Sequence, residues 1–243
     1  MEQGADMPLM RLDKLLSECT VLSRSQLRQI IKNGSVSVDG AAVTSPEHKV
    51  DSDTARVELN GKQVSYERFC YYMLNKPAGI LSATDDKKQK TVIDLFPEAI
   101  RKKNLFPVGR LDKDTTGLLI ITNDGDFAHR VISPKSEIVK TYHAVTEGCV
   151  DDADIEAFRQ GIVLADGTRC LPAELEKLPD GSCIVHVMEG KYHQVKRMLA
   201  SRGKPVTALK RLSIGGLELD KSLLPGEFRQ LTEKELCSVN KKK

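Results

Sequence analysis

The sequence lacks several things, and each absence narrows its reading. No run of about 18 apolar residues occurs, so no membrane-spanning helix is expected. The opening MEQGADMPLM has neither a basic start nor an apolar core. No secretory leader is read there, and a cytoplasmic protein is expected. The six cysteines, Cys19, Cys70, Cys149, Cys170, Cys183 and Cys237, include no C-x-x-C pair. They fit no zinc spacing and read as plain thiols of a reducing compartment. P-loop and Rossmann glycine patterns are also missing, which argues against nucleotide-cofactor chemistry. No internal repeat appears.

What is present is ordinary for a globular chain of 243 residues: 40% hydrophobic, 29% charged, net charge +3. The distribution of charge says more than its sum. From Lys191 to Arg211 there are seven Lys/Arg and no acid, and residues 8 to 37 carry five basic residues against two acids. One such cluster is usually a solvated face. Two raise the prospect of a polyanionic partner.

Residues 10 to 64 read as one small unit. RLDKLLSE spaces Leu12, Leu15 and Leu16 as a helix. In LSRSQLRQIIKNG, Ser23 and Gln26 form a capping box, Leu27, Ile30 and Ile31 the apolar stripe, and Gly34 the stop. SVSVDG then alternates and turns at Asp39-Gly40, and short strands follow. The basic residues Arg11, Lys14, Arg24, Arg28 and Lys32 all fall in the helical half.

A polar stretch, Ser65 to Arg68, leads into a larger unit, residues 69 to 236. FCYYMLNKPAG, GLLIIT, KTYHAVTEG, CIVHVMEG, LKRLSIGGLELD and FRQLT read as strands. Helices are expected after Asp126, over DADIEAFRQGI up to Gly161, and over KYHQVKRMLASRG. Strands and helices mix without regular βαβ alternation. The fold class expected is α+β, with a mainly antiparallel mixed sheet flanked by helices. The closing Lys241, Lys242 and Lys243 read as a frayed tail.

One stretch invites a chemical question. VGRLDKDTTGLLIITNDGD places Arg110, Asp112, Lys113 and Asp114 at the mouth of an apolar strand. Three readings of Asp112 stay open on spacing alone. It could be a surface ion pair or turn cap. With Asp114 it forms D-x-D, a weak pattern used to hold metal and a sugar diphosphate. Or it is a carboxylate kept charged by a cation in a partly dry pocket, acting as nucleophile or base. Asn123-Asp124-Gly125-Asp126 faintly resembles a calcium loop but lacks the remaining ligands, so turn plus cap is the better reading. In the helix after Gly190, steps of 100° from Tyr192 put Val195, Met198 and Leu199 on its face. Lys196 falls at the border and Arg197 nearly opposite.

Three segments together resemble the RsuA/RluB group of pseudouridine synthases: LNKPAG (74 to 79), GRLDKDTTGLLIITNDG (109 to 125) with KTY (140 to 142), and EGKYHQVKRML (189 to 199). The similarity spans roughly residues 10 to 236. Residues 10 to 64 resemble the αL RNA-binding module first described in a small-subunit ribosomal protein. The resemblance implies an α+β catalytic domain behind that module, with no cofactor and no metal. It implies that Asp112 is the essential group, that Tyr142 packs on the target uracil, and that Lys196, or else Arg197, pairs with Asp112. Arg110 would help hold the flipped nucleotide. The RNA-contacting set would include Arg110, Arg197, Lys76, Arg11, Lys14, Arg24, Arg28 and Lys32. Relatives usually begin at the equivalent of Met10, so the first nine residues read as extra.

The implied reaction breaks N1–C1′ of a uridine, turns the uracil over and joins C5 to C1′. The base must first leave its stack. The ending IGGLELD…LLPGEFRQLTEKEL resembles enzymes acting on small-subunit rRNA. The expected partner is therefore that rRNA or an assembly intermediate, met by a monomer. Alternatives are a large-subunit rRNA enzyme of the same group and a catalytically idle rRNA-binding assembly factor.

Overall fold

In this computed structural model, residues 9–20 and 22–240 are described. Residues 1–8, within the stretch read as extra, Val21, and residues 241–243, read as a frayed tail, lie outside the described residues. Contacts cluster into two compact units: the chain up to Cys70 with Glu98–Lys103, and Tyr71–Pro97 with Asn104 onward.

The first unit opens with strand β1 (Leu9–Arg11), helix α1 (Leu12–Cys19) and helix α2 (Arg24–Lys32). The Ser23–Gln26 capping box is formed, and Leu27 and Ile31 are buried against Leu12, Leu15 and Leu16. Strands β2 (Val36–Val38) and β3 (Ala41–Ala42) make the expected hairpin. Asp39 and Gly40 both have positive φ, as its tight turn requires. Strand β4 (Lys49–Asp51) pairs with β1, while β5 (Val57–Leu59) joins β2 to β6 (Lys62–Val64).

In the second unit, β7 (Tyr71–Lys76) is followed by a 3-10 turn at Val92–Leu95. The short helix α3 (Glu98–Arg101) belongs to the first unit. Then come β8 (Phe106–Pro107), β9 (Thr116–Thr122), α4 (Gly125–Ile132), β10 (Lys140–Thr146) and α5 (Asp152–Gln160). The chain continues through β11 (Glu174–Lys177), β12 (Cys183–Val187), α6 (Gln194–Ser201), β13 (Val206–Ile214), β14 (Leu217–Glu218), β15 (Phe228–Gln230) and α7 (Glu233–Val239). The sheet runs β11-β12-β10-β13-β9-β7-β15, with β14 on β13 and β8 on β9. Its ladders are antiparallel except β13 against β9. The α+β expectation therefore holds.

Alternation along β7 and β9 sorts the packing. Met73, Leu118 and Ile120 meet Phe127 and Val131 of α4 and Val239 of α7. Tyr72, one step out of phase, meets Phe96 and Phe228. A second core joins α5 and α6 to β10, β12 and β13 through Phe158, Met198, Leu199, Val185 and Leu209. Among the described residues no helix is long and apolar enough to cross a membrane.

Two details differ from expectation. The cap of α4 is Asp124, which accepts from Phe127 N at 3.0 Å, not Asp126. Asp126 lies inside the first turn, where a carboxylate also suits the helix dipole. Helix α6 begins at Gln194, so Tyr192 is outside it. Tyr192 is 72% exposed rather than part of the core face, while Val195, Met198 and Leu199 are buried as expected.

Candidate active site

The loop before β9 is held from below by a buried ammonium. Lys76, at the end of β7, is 0% exposed. Its Nζ donates to the carbonyls of Pro77 (3.0 Å), Asp112 (3.1 Å), Lys113 (3.3 Å) and Thr115 (3.0 Å). Gly79 N donates to Lys113 O (2.7 Å), and Ser82 Oγ donates to Leu111 O (2.8 Å). The LNKPAG segment thus anchors the GRLD segment. Burial pushes the Lys76 amine down to about 8, with Asp114 and Asp112 pulling the other way. Lys76 was expected among RNA-contacting residues. That expectation is corrected, because a side chain with no exposed surface reaches no RNA.

The loop aims two carboxylates at α6. Lys196 Nζ lies 3.2 Å from Asp112 Oδ2 and 2.5 Å from Asp114 Oδ1. Burial lowers the Lys196 pKa, but the hydrogen bonds to Asp114 and Asp112 outweigh it and hold the ammonium above its ordinary range. The hydrogen bond from Lys196 holds Asp114 below the usual carboxylate range. The Asp112 side chain is 26% exposed, neither dry nor free in solvent. His193 Nε2 lies 3.4 Å from Asp112 Oδ1 on its other side. One ammonium thus fills the space between the D-x-D carboxylates. Arg197 points elsewhere and pairs with Asp166 Oδ2 at 2.5 Å. Of the two candidates, Lys196 is the partner of Asp112.

Tyr142 stands on β10 opposite Arg211 of β13, and Arg211 stands opposite Gly117 of β9. Arg211 is 4% exposed. Its Nε donates to Leu118 O (2.8 Å) and its Nη1 to the Tyr142 hydroxyl (3.4 Å), while Nη2 is buried without a partner. Gly117 is required here: φ is +99°, and a β-carbon would lie 2.2 Å from Arg211 O. Arg110 is exposed. Beside Arg211, burial and then that guanidinium push Lys140 down to about 8.

The basic clusters prove to be largely paired. Asp13, 0% exposed, takes Arg24 at 2.9 Å, Arg11 at 3.0 Å and Arg28 at 3.1 Å. Burial would raise its pKa, but the three guanidiniums hold it far below the usual carboxylate range. All three remain about half exposed, and Lys14 and Lys32 are exposed. In the acid-free stretch, Arg202 pairs with buried Asp154 at 3.0 Å. Among the described residues one group, Glu174, Glu176 and His186, could meet at a metal ion. The His186 ring already contacts Thr141 Oγ1 (3.0 Å) and Glu176 Oε1 (3.1 Å).

The family described as RNA pseudouridylate synthase matches residues 70–201, and the S4 domain matches residues 10–54. The chain belongs to the RNA pseudouridylate synthases. It is an isomerase that converts uridine to pseudouridine in RNA. An uncharacterized RNA pseudouridine synthase of Bacillus subtilis, YtzG, is 44% identical over 236 residues, covering 95% of this chain and 98% of that one. The ribosomal small subunit pseudouridine synthase A of Vibrio cholerae is 40% identical, covering 95% and 99%. A crystal structure of a pseudouridylate synthase has a TM-score of 0.68 at 36% identity, covering 95% and 99%.

Sequence reasoning missed Asp114 as a second holder of the synthase's Lys196, His193 beside Asp112, and Arg211 beneath Tyr142. Arg211 had a signal. Leu209, Arg211 and Ser213 are the buried phase of a strand whose Ala208 and Lys210 are exposed. A charge in the buried phase needs internal partners.

Proposed function

We propose that this synthase isomerises one uridine of small-subunit (16S) rRNA, with Asp112 as the reacting carboxylate. One observation carries the catalytic part: a part-buried Asp112 held 3.2 Å from an ammonium that burial does not neutralise. An ammonium so placed is the counterion that a sheltered carboxylate depends on. Tyr142 packs on the flipped uracil, with Arg211 behind its phenol. The exposed Arg110, Lys14 and Lys32, with the half-exposed Arg11, Arg24 and Arg28, contact RNA phosphates, whose counterion release supplies binding energy. The rRNA target rests on relatives named for the small subunit, 40% identical over nearly the whole chain. The enzyme acts in the cytoplasm, as a monomer, during ribosome assembly. The working domains are residues 10–64 for RNA binding and 69–236 for catalysis.

The test maps pseudouridines in rRNA from cells lacking the gene, by carbodiimide-blocked primer extension, with complementation by wild type and Asp112→Asn. One site lost from 16S rRNA and restored by wild type alone is expected. A site lost from 23S rRNA overturns the target. No lost site, or rescue by Asp112→Asn, overturns the catalytic assignment and favours an assembly role.

A further inference from the structure

Aromatic surface is scarce in this chain: no tryptophan, five tyrosines and six phenylalanines. Among the described large apolar side chains that are exposed, Tyr192 is the most open, at 72%. A lone exposed tyrosine is ordinary on a protein surface. This one is not isolated. Its ring stacks on His193, centroids 3.8 Å apart and planes 18° from parallel. The His193 ring in turn reaches the Asp112 carboxylate at 3.4 Å. Tyrosine, imidazole, carboxylate and the Lys196 ammonium form one continuous line.

The backbone is bent to make that line. His193 caps α6 in the left-handed region, φ 48° and ψ 33°, a conformation that residues with a β-carbon usually avoid. Such outliers persist where the surroundings enforce them, and they cluster at ligand sites. Here the surroundings do enforce it: Gln194 is buried, its Oε1 accepting from Lys191 N (3.0 Å) and its Nε2 donating to Glu189 (2.7 Å). The bend leaves one face of the Tyr192 ring on His193 and the rest of the ring in solvent.

The chemistry that fits an open aromatic face one stacking layer from the reacting carboxylate is an RNA base. Tyr192 is linked to Asp112 through His193, one ring further from the carboxylate, which suits a base other than the reacting uracil. When the target uridine leaves its stack, its neighbours lose a partner. An aromatic side chain replaces that partner with little regard to base identity. We propose that Tyr192, backed by His193, stacks on the base next to the target uridine and so holds the strand while the uridine is turned out. Tyr192 is then a positioning residue, acting on binding and not on the chemical step. This rests on Asp112 as the reacting carboxylate, and the test separates the two.

The test compares wild type, Tyr192→Ala and Tyr192→Phe on an rRNA fragment carrying the mapped uridine. Tyr192→Ala should raise KM about tenfold, as loss of one base–aromatic stack implies, with kcat within about twofold. Tyr192→Phe should behave as wild type. On RNA with abasic sites on both sides of the uridine, wild type and Tyr192→Ala should have the same KM. A 2-aminopurine beside the uridine should be quenched on binding by wild type and Tyr192→Phe but not by Tyr192→Ala. An unchanged KM in Tyr192→Ala, or a penalty that persists on abasic RNA, overturns the proposal. The quenching is read without turnover, so it stands or falls even if Asp112→Asn retains activity and the assignment of Asp112 fails.

Discussion

Lys196 sits between two carboxylates of different standing. Asp114 makes the shorter contact, but it is exposed; Asp112 is sheltered and faces His193 as well. An exposed ion pair contributes little to stability, whereas a sheltered charge depends on its counterion. Lys196→Met should therefore lower kcat on the order of 100-fold while RNA affinity stays within a few-fold, as for loss of one preorganised electrostatic partner. Arg197→Met, which frees Asp166 alone, should leave kcat near wild type. Single-turnover kinetics with both variants decide it; the reverse pattern would transfer the role to Arg197. Lys76 and Lys140 allow a second prediction at this scale. Both titrate near 8 in the folded protein because burial penalises the charge. Unfolded lysine titrates near about 10.4. Between these values the unfolded chain binds more protons, so stability rises with pH. The denaturant midpoint of the catalytic unit should increase from pH 8 to pH 10. A fall over that window would contradict the sheltered ammonium sites.

Elements were legible where their signal is local. The α2 capping box, the Asp39-Gly40 hairpin and the end of α5 at Gly161 follow from contacts within a few residues, and the structure has them. So was the Lys196 side of α6, since a helix repeats its own geometry. What was not legible depends on partners distant in sequence. Tyr192 fits the helical period but lies before the helix, because His193 turns the chain. Lys76 sits in a polar-looking motif yet closes on carbonyls near Asp112. Asp13 looked like one acid among basic residues; only the fold shows that Arg11, Arg24 and Arg28 converge on it. Asp13→Ala removes a buried acceptor shared by three guanidiniums, but those guanidiniums stay half solvated, so the first unit should lose about 1.5 to 3 kcal/mol, the range for hydrogen bonds to a charged group. Its depressed pKa makes that stabilisation complete above about pH 4 and lost only as pH falls through the much lower folded value. Gly117→Ala should cost more than about 2 kcal/mol, because backbone strain and overlap with Arg211 O add. Thermal unfolding measures both.

At the scale of the whole molecule, a net charge of +3 hides an uneven distribution. Within the two basic clusters several cations face carboxylates of the same chain: Arg11, Arg24 and Arg28 meet Asp13, Arg202 meets Asp154, and Lys196 meets Asp112 and Asp114. Lys14 and Lys32 are exposed and stand outside the Asp13 cluster. If they meet phosphates, Lys14→Gln with Lys32→Gln should flatten the dependence of log Kd on log salt by up to about 2, with kcat at saturating RNA unchanged. Filter binding across a salt series reads this directly, and an unaltered slope would remove both lysines from the interface.

The route of the chain through its large sheet also sets an order of birth. Asp112 is made long before Lys196 and Arg211, and β7 gains its outer neighbour only when Phe228–Gln230 arrives. Pairings so distant in sequence form slowly and late. As the polypeptide leaves the ribosome, the first unit has all its parts by residue 103. The site around Asp112 is still missing Lys196 and Arg211, and the sheet its outer strand. A nascent chain therefore acquires its smaller, RNA-binding unit well before it can isomerise anything.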